Sequence, residues 1–265
     1  MNSRKLTVYI LLSFGISWIV WLPNVLAAQS ELGWEHSNLL HLLGGLGPLC
    51  AAVFTTLIFD GFHGLKDFVK LRYTNLPNIK WLVLGLFMPI IFFLIPYLFL
   101  GFVEGQWLDF SLLGLNSKLP FQHPLLIWLL WCLCYGLGEE SGWRGYLFPA
   151  FNQKYSARIS AGFVALIWAS WHLPIFFYDK DFMRMGLGGT IGWILGLFAG
   201  SIVLSWLVKQ SKWNLVPVIL WHGTFNFFTS SDQIDFMYPA FISTLVMVFA
   251  FFIWIKYGEK LTPNI

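Results

Sequence analysis

Apolar residues gather into runs separated by short polar stretches, over roughly 6–28, 39–59, 79–103, 122–148, 159–178, 186–208, 213–229 and 235–256. A hydrocarbon core about 30 Å thick takes about 20 residues of helix, so the pattern predicts about eight spans and an all-α polytopic membrane fold. The seventh run is short, and the fourth carries charged residues. The first run follows Met-Asn-Ser-Arg-Lys and contains Leu-Ala-Ala-Gln, as a secretory leader would. Its apolar stretch exceeds the roughly 7–15 residues of a leader core and holds Trp18, Trp21 and Pro23, which marks it as a span. No low-complexity tract or clear internal repeat interrupts the chain, so residues 1–265 read as a single transmembrane domain.

Composition narrows the class. With 57% hydrophobic and 11% charged residues and a mean hydropathy of +0.68, an ordinary soluble domain is excluded. The 15 Trp and 27 Phe suit interfacial belts and lipid-facing surfaces. A net charge of +3 is too small to imply nucleic acid as a partner. Cys50, Cys132 and Cys134 all lie in apolar runs and read as small hydrophobes, with neither a disulfide nor a cysteine metal site.

Charge placement gives an orientation. When basic residues are assigned alternately to the two sides of eight spans, all of the 16 Lys and Arg except Lys118, Lys180 and Arg184 fall on one side. The positive-inside rule then puts both termini in the cytoplasm. Segment 60–78 interleaves Lys66, Lys70 and Arg72 with Leu65, Phe68, Val69 and Leu71. It reads either as a basic amphipathic helix on the cytoplasmic surface or as a charged connecting loop.

Glu139 and Glu140 stand side by side in the fourth run, followed by Arg144. A charge at the centre of a bilayer costs roughly 2.5–3.5 kcal/mol on insertion scales, so such residues are functional candidates by default. His172, His222 and Asn226 sit in other apolar runs. At 1.5 Å per residue, Glu139, His172 and His222 lie about 14, 21 and 12 Å from the cytoplasmic ends of their helices, a common layer. The first of these depths takes the fourth helix to end at Pro149. Glu140 and Arg144 are four apart and share a face, as are His222 and Asn226, whereas Glu139 is rotated by about 100°. Glu140 can thus be neutralised by Arg144 while Glu139 stays free for chemistry. Pro174 should loosen the helix beyond His172, and Pro217 should sit in a first turn.

Glu139-Glu140-x-x-x-Arg144, Trp168-x-x-x-His172 and His222-x-x-x-Asn226 together resemble the motif set of the CPBP family. These are the CAAX prenyl protease type II and bacteriocin-processing intramembrane endopeptidases, also called the Abi family. The resemblance covers roughly 120–230, the expected catalytic core. Trp168 stands where the family commonly has Phe, one aromatic for another.

The resemblance implies hydrolysis of a peptide bond in or beside the membrane, by one of two mechanisms. In the metal-free version Glu139, assisted by His172, takes a proton from water, while His222 and Asn226 hydrogen-bond the developing oxyanion. Glu140 and Arg144 then act as support. In the metal version Glu139, His172 and His222 hold a divalent ion, zinc in soluble analogues, with an open position for water. Family members are often labelled metalloproteases, yet the chain lacks a His-Glu-x-x-His run.

Each residue alone has a structural reading: interhelical hydrogen bonding for His222 and Asn226, a packed or kink-associated His172, a buried ion pair for Glu140 and Arg144. The remaining histidines, His36, His41, His63 and His123, read as interfacial. The glycines at 44, 45 and 47, and at 186, 188, 189, 192, 196 and 200, read as sites of close helix packing, with substrate access the lesser alternative. A proton-coupled transporter would need polar residues across the whole bilayer, whereas the extracytoplasmic halves of the spans are nearly all apolar. A non-proteolytic membrane immunity or scaffold protein of the same fold is the other alternative. The partners implied are the lipid bilayer and a membrane-associated or lipidated peptide. Eukaryotic relatives trim prenylated CAAX proteins, and bacterial ones are linked to bacteriocin processing and self-immunity. The compact chain points to a bacterial cell membrane.

Overall fold

The computed structural model describes residues 3–29, 37–116, 119, 122–235 and 237–257. Among them there are twelve α-helices and no strand: α1 Ser3–Gln29, α2 Asn38–Gly44, α3 Gly47–Val69, α4 Ile79–Glu104, α5 Pro124–Trp131, α6 Gly138–Gly142, α7 Phe148–Asn152, α8 Ala157–Trp171, α9 Lys180–Met183, α10 Gly186–Gln210, α11 Val216–Thr229 and α12 Met237–Tyr257. Six helical segments are long and apolar enough to cross a membrane unaided: Ser3–Gln29, Asn38–Thr74, Ile79–Glu104, Ala157–Phe177, Gly186–Gln210 and Met237–Tyr257. They coincide with six of the eight expected runs.

The other two runs take a different form. The fourth is a continuous helical rod, 124–152, in which α5, α6 and α7 are joined by π-helical turns at Cys132–Leu137 and Trp143–Leu147. The seventh is α11, only 14 residues long. Both carry polar residues, and α11 and residues 134–148 of the rod are enclosed by the bundle, whereas Leu125, Leu126, Leu129 and Leu133 of the rod are exposed. The outer neighbours of the two runs supply most of the hydrocarbon-facing surface, where Phe62, Phe102, Leu187 and Ile19 project.

Contacts along the bundle show the chain reversing at each passage. On α1 and the segments facing it, Lys5 meets Asp60, Ser17 donates to Gly44 O, Trp21 to His41 O and Asn24 to Ser37 O, an antiparallel pairing. The rod runs against α11, with Trp128 hydrogen-bonded to Thr224 and Gly136 beside Ile219. By contrast α4 and α11 run parallel, as third and seventh passages should: Gly85 faces Pro217, Met88 faces Trp221 and Phe93 faces Phe228. Helix α1 belongs to this core, since Trp21 is fully buried and Trp18 Nε1 donates to Trp171 O.

Segment 60–78 is helical as far as Thr74, and only its last four residues form a loop. Gly61 takes a left-handed φ of 66° that breaks α3, and the chain then bends into a piece ending in a π turn at Lys70–Thr74. Its Phe62, Val69 and Leu71 are exposed, but Arg72 is buried against Phe68 and Trp213, so one of the three expected surface cations points inward.

Two sequence expectations change. The rod does not stop at Pro149, because the π turn before it places that proline at the start of α7, where no backbone N–H is needed. The glycines also divide. A Cβ at Gly44 or Gly47 would strike Trp21 or Ser17, as close packing requires, whereas Gly186, Gly188, Gly192 and Gly200 have nothing within 4 Å. Along α10 these four glycines are therefore not contact points, whereas Gly189 lies against Met185 of its own turn and Gly196 lies within van der Waals reach of Ser243 and Met247 on α12. Cys50, Cys132 and Cys134 are free thiols.

A pair of substitutions separates the two classes of glycine. A Cβ at Gly85 would lie 2.3 Å from Pro217 O, a backbone atom that cannot swing aside. Gly85→Ala should lower the thermal midpoint of the purified protein. Gly192→Ala, made in open space inside α10, should hold or raise it through helix propensity worth up to about 1 kcal/mol. Equal midpoints for the two variants would contradict this packing of α4 on α11.

Candidate active site

The rod, α8 and α11 bring the polar residues together. Between its two π turns the rod returns to α-helical spacing over Gly138–Gly142, so each acid faces the residue four positions on. Glu140 Oε1 accepts from Arg144 Nη1 at 3.0 Å, the ion pair expected from the spacing. Glu139, turned to another face, meets Trp143 instead, whose Nε1 donates to Oε2 at 3.3 Å. Glu139, Glu140 and Arg144 are all essentially inaccessible. The rod is anchored behind them by Tyr73, which hydrogen-bonds Ser141 Oγ at 2.6 Å while Ser141 donates to Leu137 O.

Helix α11 brings His222 to the same carboxylate. Pro217 sits in its first turn, as expected, and a Cβ at Gly223 would lie 2.7 Å from Cys132 Cα, so the glycine permits the backbones of α11 and the rod to touch. His222 Nδ1 then lies 2.7 Å from Glu140 Oε1. One oxygen is thus shared by a guanidinium and an imidazole, so Glu140 is more than a partner for Arg144. Because a carboxylate accepts, Nδ1 carries the proton, and Nε2 is the edge of His222 left for other groups. Asn226, one turn on, is half-buried, and its carboxamide has no hydrogen-bond partner among the described residues.

Helix α8 ends at the site. Pro174 has no N–H to continue it, the backbone tightens into a 3₁₀ turn over Leu173–Phe177, and His172 N–H turns to Ala169 O at 3.2 Å. Trp168 O is then taken by His172 Nδ1 at 2.7 Å. A carbonyl only accepts, so this bond fixes the Nδ1–H tautomer and leaves Nε2 with its lone pair.

Trp168 is the residue the others share. Its Nε1 donates to Glu139 Oε2 at 2.5 Å, and its ring lies under the Arg144 guanidinium, 4.5 Å from the ring centroid. It stands edge-on to His222 at 5.7 Å and tilted to His172 at 5.9 Å. Phenylalanine could make the ring contacts but not the hydrogen bond, so the exchange of one aromatic for another changes the site more than its class suggests. The indole partners of Glu139 were not legible from spacing: Trp143 lies four residues on, but nothing marks which tryptophan of an aromatic-rich chain turns inward.

The alternative grouping of Glu139, His172 and His222 about a divalent ion does not fit. Among the described residues no three His, Cys, Asp or Glu side chains are arranged to hold a metal ion. Glu139 Oε2 accepts two indole N–H groups, and His222 Nδ1 is paired with Glu140, beside which an Arg144 guanidinium would repel a cation. Within the Glu140–Arg144 pair three wholly buried polar atoms lack partners among the described residues, Glu140 Oε2 and Arg144 Nε and Nη2, and two of these are cationic donors. That set favours an anionic or carbonyl oxygen over a metal.

Of the other histidines, His41 is half-buried with Nδ1 2.8 Å from Tyr178 Oη, His63 is exposed beside Asp67, and His123 is exposed at the start of α5. His36, Lys118 and Lys260 lie outside the described residues.

Residues 121–228 match the family model described as "Type II CAAX prenyl endopeptidase Rce1-like". Over 224 residues the chain is 24% identical to the CAAX prenyl protease 2 of Methanococcus maripaludis, covering 82% of this chain and 81% of that protein. A stretch of 119 residues, 44% of this chain, is 29% identical to the probable alginate O-acetylase AlgI of Azotobacter vinelandii, but spans only 22% of that protein. The family match coincides with the rod, α8, α10 and α11, which are the elements that build the site. These matches support placing the chain with the CPBP family, in its Rce1-like type II CAAX prenyl endopeptidase branch, and support a multi-pass intramembrane protease.

Proposed function

We propose that the protein cleaves a peptide bond of a membrane-associated, lipidated peptide, using a water activated by Glu139 and His172 in the cytoplasmic half of a bacterial cell membrane. The observation that carries this reading is the convergence of Glu139, Glu140, Arg144, His172 and His222 around Trp168, from three helices of an otherwise apolar bundle.

Water gives a proton to Glu139 while its oxygen adds to the scissile carbonyl carbon, and His172 Nε2 holds the water by its second hydrogen. His222, as the imidazolium paired with Glu140, donates from Nε2 to the oxyanion, and the free carboxamide of Asn226 supplies a second donor. Collapse of the adduct breaks the C–N bond, and the proton held by Glu139 passes to the departing nitrogen. Glu140 has the role that a buried carboxylate plays behind a catalytic histidine, fixing the ring and balancing its charge. A lipidated substrate suits the location, since its lipid partitions into the bilayer and presents the adjoining peptide at the depth of the site. Peptide processing of the bacteriocin type is the cellular role this chemistry would serve.

Two measurements test the reading. Membrane peptidomes of cells carrying the natural protein and Glu139→Ala should differ by a set of peptides cut only by the former, with His172→Ala and His222→Ala matching Glu139→Ala. Identical peptidomes would overturn it. Arg144→Ala leaves Glu140 with one partner in a buried setting and should destabilise the protein by about 3–5 kcal/mol. Adding Glu140→Gln should recover part of that loss in thermal unfolding, because the orphaned charge is gone. An additive double variant would mean that the ion pair contributes nothing to the fold.

A further inference from the structure

We infer that Trp168 is a positioning residue for the reaction, and that its indole N–H selects which oxygen of Glu139 acts on water. The inference rests on the role proposed above for Glu139. Glu139 Oε2 is occupied twice, by Trp168 Nε1 at 2.5 Å and Trp143 Nε1 at 3.3 Å. Oε1 accepts no hydrogen bond among the described residues and is the oxygen left for a water proton. A carboxylate free to rotate would offer either oxygen in many orientations. Two donors on one oxygen hold its plane and aim the other, which is the pre-organisation a general base needs.

The same residue acts at its other end. Its carbonyl oxygen accepts from His172 Nδ1–H at 2.7 Å and so orients Nε2, the nitrogen assigned to the same water. Both groups that touch the water are therefore referred to one rigid side chain and its own peptide carbonyl. The ring is itself clamped, beneath Arg144 at 4.5 Å and edge-on to His222 at 5.7 Å. A side-chain substitution removes the Glu139 arm and leaves the His172 arm, because the carbonyl belongs to the backbone.

The test replaces Trp168 by phenylalanine, and separately by 3-benzothienylalanine, which keeps the bicyclic shape and exchanges the N–H for sulfur. Kinetics use a quenched-fluorescent farnesylated peptide ending in a CAAX sequence, with the protein in lipid nanodiscs. Loss of a hydrogen bond to a charged group predicts a fall in kcat of about 10-fold to 100-fold for both replacements, with KM within about threefold. Trp143→Phe, which removes the longer bond, should cost less. A benzothienyl protein with kcat within twofold of the natural one, or a loss confined to KM, overturns the proposal. Glu139→Gln run alongside separates the two readings: an active Glu139→Gln sinks the role of Glu139 itself, whereas an inactive one beside an active benzothienyl protein sinks only the role of Trp168. A readout without substrate completes the test. The indole proton of Trp168, identified in ¹⁵N spectra as the resonance lost in Trp168→Phe, should lie downfield in the natural protein and move upfield in Glu139→Ala. A resonance that stays in place overturns the proposal, whatever the kinetics.

Discussion

Two carboxylates are enclosed in an apolar bundle, and the one that draws the central helices together is Glu140, through a single atom, Oε1. Arg144 reaches it from the next turn of the same rod and His222 from α11. The first contact needs only helical spacing, so it exists wherever the rod is helical. The second needs two helices in contact at backbone distance, and Gly136 and Gly223 permit that approach. Loss of either partner would leave Glu140 with a single partner where water cannot reach it, so the contact between the rod and α11 is tied to this one carboxylate.

The architecture follows from enclosing these groups. The rod and α11 carry the polar residues and are the two passages that do not qualify as membrane helices by length and composition. Irregular backbone is possible beside the acids because residues 134–148 of the rod are enclosed by protein; non-helical or strained backbone at membrane depth is tolerated only where it is buried or lines a cavity. The π turns on both sides of Glu139 and Glu140 are of this kind, and they re-aim side chains without ending the rod. The six other passages supply most of the outward apolar surface.

Aromatic residues divide their work in a way composition does not disclose. Many of the tryptophans and phenylalanines fill the core or face lipid. Trp168 and Trp143 instead present N–H groups to Glu139, and Trp18 and Trp21 use theirs to tie α1 to distant carbonyls. In an interior without water an indole is a hydrophobic plate with one donor, and where that donor points decides whether it is filler or part of the site.

The sequence by itself determined the class, the location of six spans and the candidate polar residues for a site. Those properties depend on local quantities: runs of apolar residues, the spacing of four between Glu140 and Arg144 and between His222 and Asn226, and prolines at positions 174 and 217. The tertiary structure decided what no spacing contains. It joined His222 to Glu140, gave Glu139 two indole donors, turned Arg72 inward and left four of the α10 glycines, at 186, 188, 192 and 200, without neighbours. It also carried the rod past Pro149, which depends on a π turn that has no signature in the pattern. A helix fixes its own faces through its 3.6-residue period, but which faces meet is set by packing among elements far apart in the chain.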